Sequence, residues 1–234
     1  MKRIAYTVFA AVLMVAITLK ASAQSEETRQ VSGFTSIGSG GPFDVHVKIN
    51  GTESLKIEAS SEAIKEIETK VEDGKLQIKF KHHDNWDHEN YGKIDVYVTA
   101  KSLSGLANAG SGSIKVDGTV SGDKVNISLS GSGSISSSVK AGDFHTAISG
   151  SGSIALSGSA DETKVVISGS GEMDGRHFKT NTASVTIAGS GNAHFGADKS
   201  ISARIVGSGN VVYTGNATIT DSRTVGSGRL SKED

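Results

Sequence analysis

From residue 105 onward the chain alternates apolar and polar positions at period two, and Gly-Ser-Gly interrupts the alternation at regular intervals. The tripeptide starts at Gly110, Gly131, Gly150, Gly169, Gly189, Gly207 and Gly226, at intervals of 21, 19, 19, 20, 18 and 19 residues. A random Gly/Ser bias does not keep such spacing, which is the mark of a repeat architecture. Counted from each first Gly, the fifth residue is Ile114, Ile135, Ile154, Met173, Ala193, Val211 or Leu230. Two residues before the tripeptide come Leu129, Ile148, Ile167, Ile187, Ile205 and Thr224; four before come Ile127, Thr146, Val165, Val185, Ala203 and Ser222. These columns are expected to point inward from strands. A flexible Gly/Ser linker would hold no apolar residue in fixed register.

A unit of this length holds two short strands joined by Gly-rich turns, and is too short for a strand, a crossover helix and a second parallel strand. Stacked ~4.8 Å apart, seven units form a rod roughly 30–35 Å long. The predicted fold is all-β: a right-handed parallel β-helix, or β-solenoid, with coils of about 19 residues. Its glycines sit at recurring tight corners, where a Cβ would obstruct the backbone.

Residues 24–104 read differently, as an N-terminal diverged β region that caps the solenoid of residues 105–234. Strands are expected over Phe43 to Ile49, Ser54 to Ala59, Glu68 to Val71, Lys75 to Phe80 and Ile94 to Thr99. Asp73-Gly74 between two alternating runs signals a hairpin, and Ser60 to Glu66 reads as one capped helical turn. Gly38-Ser39-Gly40, 72 residues before Gly110, reads as an eighth, early copy of the corner.

The first 23 residues stand apart. Lys2 and Arg3 precede an apolar run from Ile4 to Leu19, and Ala21-Ser22-Ala23 supplies the small residues of a signal-peptidase site. This is the pattern of a secretory signal, so the mature chain is expected to begin near Gln24 without a lipid-bearing Cys and to act in the periplasm, at the cell surface or outside the cell. The whole chain has no Cys, one Pro and 29 Gly, so its core must come from Ile, Val, Leu and Ala. Without Lys2, Arg3 and Lys20, its 24 basic residues fall to 21 against 25 acidic, a net charge of −4. That balance argues against nucleic acid or anionic lipid as a partner.

Candidate chemistry concentrates in one place. His82, His83, Asp84, Asp87, His88 and Glu89 surround Trp86, the single Trp of the chain. These residue types coordinate Zn or similar ions, but no partner ligand stands at a defined spacing elsewhere, so the segment is expected to be a polar loop and no metal or cofactor is assigned. Trp86 is suited to stacking on a sugar ring or a partner surface, and equally to folding back on the coils. Elsewhere the familiar signatures are missing. No Gly-Ser-Gly continues to the third glycine of a dinucleotide loop or to a P-loop Gly-Lys-Ser/Thr. No G-x-S-x-G elbow occurs, and calcium-binding rolls repeat every nine residues rather than about nineteen. The acids Asp117, Asp123, Asp143, Asp161, Glu162, Glu172 and Asp174 mostly fall at turns and form no clear pair of the kind that cleaves glycans. The stack Ser111, Ser132, Ser151, Ser170, Ser190, Ser208 and Ser227 is read as corner chemistry, each small hydroxyl satisfying local backbone. Five residues before each corner stand Asn126, His145, Lys164, Ser184, Ser202 and Asp221, which share no chemistry and build no repeated ligand face.

The signal, the Gly-Ser-Gly-x-apolar repeat, and the leader FTSIGSGGPFDVHVKING followed by VEDGKLQIKF resemble the head GIN domain of auto-transporter adhesins, a domain-of-unknown-function family. The resemblance covers nearly all of the mature chain and implies a β-helical fold and an adhesin-like role, with no catalytic residue to carry over. Ser231-Lys232-Glu233-Asp234 follows the last turn with no barrel pattern, so this chain is not expected to translocate itself. The expected function is a non-enzymatic, exported, adhesin-like binding module; its ligand is not readable from the sequence, with a glycan and a cell-surface protein as the candidate partners. The alternatives are a periplasmic structural or protein-interaction module and a polysaccharide-active enzyme on the same fold.

Overall fold

Alternation along each coil decides which way its side chains point. Between Ser134 and Gly150, Ile135, Val139, Phe144, Thr146 and Ile148 are buried, while Ser136, Lys140, His145, Ala147 and Ser149 are exposed. Each coil repeats this arrangement, and the computed structural model, which describes residues 24–81 and 91–233, is a β-solenoid.

The chain runs through β1 (Ser25–Arg29), β2 (Ser36–Gly40), β3 (Asp44–Ile49), β4 (Ser54–Ala59), α1 (Ser61–Glu66), β5 (Ile67–Glu72), β6 (Lys75–Phe80), β7 (Asp95–Ala100) and β8 (Gly105–Gly110). It continues through the long β9 (Ser113–Gly131), β10 (Ser134–Gly150), β11 (Ser153–Gly169), β12 (Glu172–Gly189) and β13 (Asn192–Gly207). It closes with β14 (Asn210–Thr214), β15 (Thr218–Gly226) and β16 (Arg229–Lys232). The coils are not pairs of separate short strands. Each of β9 to β13 is a single ladder of 16 to 19 residues, broken only at the Ser-Gly of the corner, because parallel bonding to its neighbours continues around the other bends.

Parallel register sets the apolar columns. Ile114, Ile135, Ile154, Met173, Ala193, Val211 and Leu230 are successive partners, as are Leu129, Ile148, Ile167, Ile187 and Ile205. All but Leu230 are buried, each side chain contributing roughly 1.5–3 kcal/mol if it is Val, Ile, Leu or Met. Phe144, Phe178 and Phe195 fill the wider part of the coil, the first two with ring centroids 5.3 Å apart.

The N-terminal region continues this stack. β3 pairs in parallel with β9 and β7, and β2 pairs in parallel with β8 and β6, so Val45 and Val96 extend the Ile114 column and Ile37 and Leu76 extend that of Leu106 and Ile127. Beyond them the direction reverses. β4 runs antiparallel to β7 and β5 antiparallel to β6, joined by the Asp73-Gly74 hairpin turn in which both residues have positive φ. α1 links β4 to β5, with the Ser60 hydroxyl accepting from Ala63 N–H and with Ala63 and Ile64 closing the core. Arg29 holds this helix from outside, donating to the carbonyls of Ile64 and Ile67.

One sequence expectation is corrected. Gly38-Ser39-Gly40 is not a corner: Ser39 pairs with Asn108 inside the core, two residues ahead of the turn. The true counterpart of Gly110 is Gly41, whose carbonyl accepts from Gly112 N–H just as that of Gly110 accepts from Gly133 N–H. Phe43 holds the place of the corner's second glycine, and its ring lies buried 4.9 Å from that of Phe80.

Two tests follow. At Gly169 φ is +111°, and a Cβ would sit 2.5 Å from the carbonyl oxygen of Gly150. Gly169→Ala should lower unfolding stability by about 2–4 kcal/mol, while Ser170→Ala, at an exposed hydroxyl, should stay within ~0.5 kcal/mol; chemical denaturation measures both. Glu53 tests the cap. Its carboxylate bonds Lys101 Nζ at 2.6 Å and accepts from Gly33 and Phe34 N–H, and the Lys101 bond leads in holding its pKa below the usual carboxylate value. A depressed carboxylate stabilises the fold above its ordinary titration range, and that contribution is lost as pH falls through the lower folded value. Melting temperature should therefore drop on acidification, and Glu53→Gln should melt lower at neutral pH with a shallower acid dependence.

Candidate functional site

The outward residues of the first coils carry the main concentration of charge and aromatic surface. Because β4, β7, β3 and β9 lie side by side in register, their outward side chains form two columns: Glu58, Asp95, Asp44, Ser113, and Lys56, Tyr97, His46, Lys115. Further along the rod the same columns hold Ser134, Ser153 and Ser136, Ala155, so the face is small and hydroxylated across β10 and β11 before Glu172, Asp174 and His194 make it polar and charged again.

Tyr97 stands at the centre. His46 stacks on one side at 5.0 Å between ring centroids, with planes 20° apart, and the Lys56 ammonium lies 4.9 Å from the ring centre. Both faces of the phenol are thereby flanked, and the residue remains 37 % exposed. Burial leads in raising the Tyr97 pKa, with the Glu58 and Asp95 carboxylates adding to it, so the ring stays a neutral phenol.

Asp95 is the anchor beneath. Its side chain is 5 % exposed and bonds Lys93 Nζ at 2.8 Å and His46 Nε2 at 3.1 Å. Burial pushes its carboxyl up, but the bonds from Lys93 and His46 outweigh it and hold the group ionised below its ordinary value. Lys56 is fixed in turn by Glu58 at 2.5 Å and Glu26 at 3.4 Å, and Asp44 accepts from the Ser113 hydroxyl at 2.6 Å. The face is thus an ion-paired, preorganised surface. Clefts open on both sides of Tyr97. One of about 830 Å³ runs past Ser60, Glu62, Tyr91 and Lys93; the other, about 600 Å³, is bordered by His46, Lys48, Thr99, Lys115 and Asp117.

The segment singled out in the sequence lies between β6 and β7. Phe80 and Tyr91, on either side of it, have ring centroids 5.4 Å apart. His82, His83, Asp84, Trp86, Asp87 and His88 themselves lie outside the described residues. Among the described residues no group of three His, Asp or Glu side chains converges to hold a metal. Gly110, Gly131, Gly150, Gly169, Gly189, Gly207 and Gly226 stack on one another along the corner, where their close packing serves the fold.

Sequence reasoning passed over His46, Lys56, Lys93, Asp95 and Tyr97. One signal for them exists: Asp44-Val45-His46-Val47 and Asp95-Val96-Tyr97-Val98 share one pattern, and the sheet lays them side by side. A smaller polar cluster sits further along the rod, where Arg176 grips Asp174 with two bonds and lowers its carboxyl to about 2, and His194 pairs with Glu233 at 2.8 Å.

Among solved structures, the chain resembles a "putative adhesin" from Bacteroides fragilis, with a TM-score of 0.79 at 21% identity over 90% of this chain and 97% of that one. It also resembles a "putative lipid binding protein" from Parabacteroides distasonis, with a TM-score of 0.72 at 22% identity over 90% and 97%. A "putative adhesin" from Parabacteroides merdae gives a TM-score of 0.68 at 20% identity over 90% and 96%. No curated protein sequence matches the chain. At these identities the neighbours share the fold. Residues 33–217 match the family described as "Putative auto-transporter adhesin, head GIN domain", and with that span, which includes the Tyr97 face and most of the corner stack, the chain belongs to this family.

Proposed function

We propose that this protein is an exported, non-enzymatic binding module of adhesin type, and that it meets its ligand on the outer face centred on Tyr97. The observation that carries the reading is the paired network Lys93, Asp95, His46, Tyr97, Lys56 and Glu58, fixed between two clefts at one end of a rigid rod. Binding favours such preorganisation, since few side chains need ordering when a ligand arrives. Acid–base catalysis favours the opposite. A general acid or base works best with a pKa near the operating pH, and the buried carboxyl here is held ionised well away from it.

The chemistry of the face suits a polar ligand, a glycan or a protein surface. With both faces of Tyr97 covered, a sugar would meet its rim and hydroxyl, the His46 edge and the hydroxyls of Ser54 and Thr99 rather than stack flat on the ring. The secretory signal in the sequence and the family's adhesin description support presentation at or beyond the cell envelope. Among the described residues no helix is long and apolar enough to cross a membrane.

Deletion of the gene should lower attachment of whole cells to glycan- or protein-coated surfaces, and the wild-type gene should restore it. Tyr97→Ala should leave the fold intact and weaken attachment roughly tenfold or more, as truncating an aromatic anchor does. Attachment unchanged by deletion would sink the adhesin reading, and restoration by Tyr97→Ala would move the ligand to another face. Protease treatment of intact cells tests the compartment: digestion marks a surface protein, and protection marks the periplasmic alternative.

A further inference from the structure

The two ends of the solenoid are finished differently. At the N-terminal end the strand direction reverses, α1 covers the core, and the outermost strand β1 is five residues long and carries Glu26, Glu27 and Arg29. At the other end β15 bonds to β13 on one side, and no described strand pairs with its second edge. Every residue of this nine-residue strand is exposed, including Ile219 at 47 % and Val225 at 69 %. A strand edge of this length is a template for another strand.

The side chains of β15 select which strand. Register with β13 places Ser222 and Thr224 over the inward-facing Ala203 and Ile205, while Asp221 and Arg223 point outward beside Ser202 and Arg204. Asp221 and Arg223 are held together at 3.3 Å, with side chains 51 % and 68 % exposed. An arbitrary strand would leave these charges unmatched, which is how natural edges discourage pairing. A second copy of β15 running antiparallel about a two-fold axis through Ser222 matches both: Asp221 faces the partner's Arg223, and Arg223 faces the partner's Asp221. The same register sets Ser222 against itself, and it runs over the regular stretch of β15 from Asp221 to Val225, beyond the register shift at Thr220. Moving the axis to Asp221 or to Arg223 opposes like charges, which costs stability in directly facing cross-strand pairs. Head-to-tail stacking meets α1 and the short edge strands β1 and β5, whose Glu26, Glu27, Glu68, Lys70 and Glu72 do not supply the Asp221 and Arg223 match of a second β15. A closed, isologous pair is therefore the association this edge permits.

We propose that the protein forms a tail-to-tail dimer through antiparallel pairing of β15 about Ser222, independently of what the Tyr97 face binds. The pair extends the rod across the two-fold axis and sets two Tyr97 faces at its opposite ends, so that a polymeric or surface-arrayed ligand is engaged twice.

The test uses the chain from Gln24 onward, which contains every described strand, in sedimentation equilibrium with far-UV circular dichroism as the check on folding. The wild type should sediment as a concentration-dependent dimer. Asp221→Arg and Arg223→Asp should each weaken dimerisation at least tenfold, and the double variant with the charges exchanged should restore it. The chain has no Cys, so Ser222→Cys should give a disulfide-linked dimer on mild oxidation while Thr218→Cys, four positions from the axis, should not. This second arm holds even where a charge variant fails to fold. A wild type that stays monomeric at the highest soluble concentration, a dimer indifferent to both single variants, a charge exchange that does not restore it, or equal cross-linking at residues 218 and 222 would each overturn the proposal.

Discussion

Each corner of the solenoid rests on a carbonyl of the corner before it. The oxygen of Gly131 accepts from the N–H groups of both Ser151 and Gly152, and that of Gly169 accepts from Ser190 and Gly191. The approach leaves no room for a Cβ on the stacked glycines, so corner n fixes the position of corner n+1 to within a hydrogen bond. This contact sets the coil spacing, and the spacing sets the parallel register that gathers Ile114, Ile135 and Ile154 into one buried column. Substituents elsewhere on the coil can vary, and they do: the outward positions beside the corner run from serine to valine along the rod without disturbing it.

Relaxing that constraint at one end is what makes room for a site. Gly41 begins the stack, and there a buried phenylalanine, Phe43, occupies the place of the corner's second glycine and packs against Phe80. Reversal of strand direction at β4 and β5 then brings a helix and two antiparallel strands over the core end. The charged outward columns lie on the strands nearest this reversal. Regular stacking thus gives a rigid support, and the departure from regularity at its end gives surface variety; the two are consequences of one corner being obeyed or released.

The ion pairs of the face have a matching logic. Asp95 is buried deeply enough that its charge needs partners, and Lys93 and His46 supply them. His46 is thereby held flat against Tyr97, and Tyr97 in turn against Lys56, so a buried carboxylate orients an exposed aromatic two residues along its own strand by way of the neighbouring one. Exposed pairs such as Lys70 with Glu72 add little by comparison, because water screens them.

Much of this was legible in the sequence. The corner glycines, the inward columns, the capped turn at Ser60, the Asp73-Gly74 hairpin and the positions of five N-terminal strands are local or periodic signals, and period-two alternation maps directly onto a pleated strand. The sequence misled at Gly38-Ser39-Gly40, where composition imitates a corner but the register buries Ser39 beside Asn108. It was silent on the Tyr97 face, because His46, Lys56, Lys93 and Asp95 come from three separate strands and the segment before one of them, and which strands become neighbours depends on a chain reversal that no local pattern encodes. By itself the sequence determined the repeat, the coil and which side chains face inward, since one physical rule acts on each coil in turn. Only the tertiary structure decided which outward residues meet, because strand order at the capped end is a property of the whole stack.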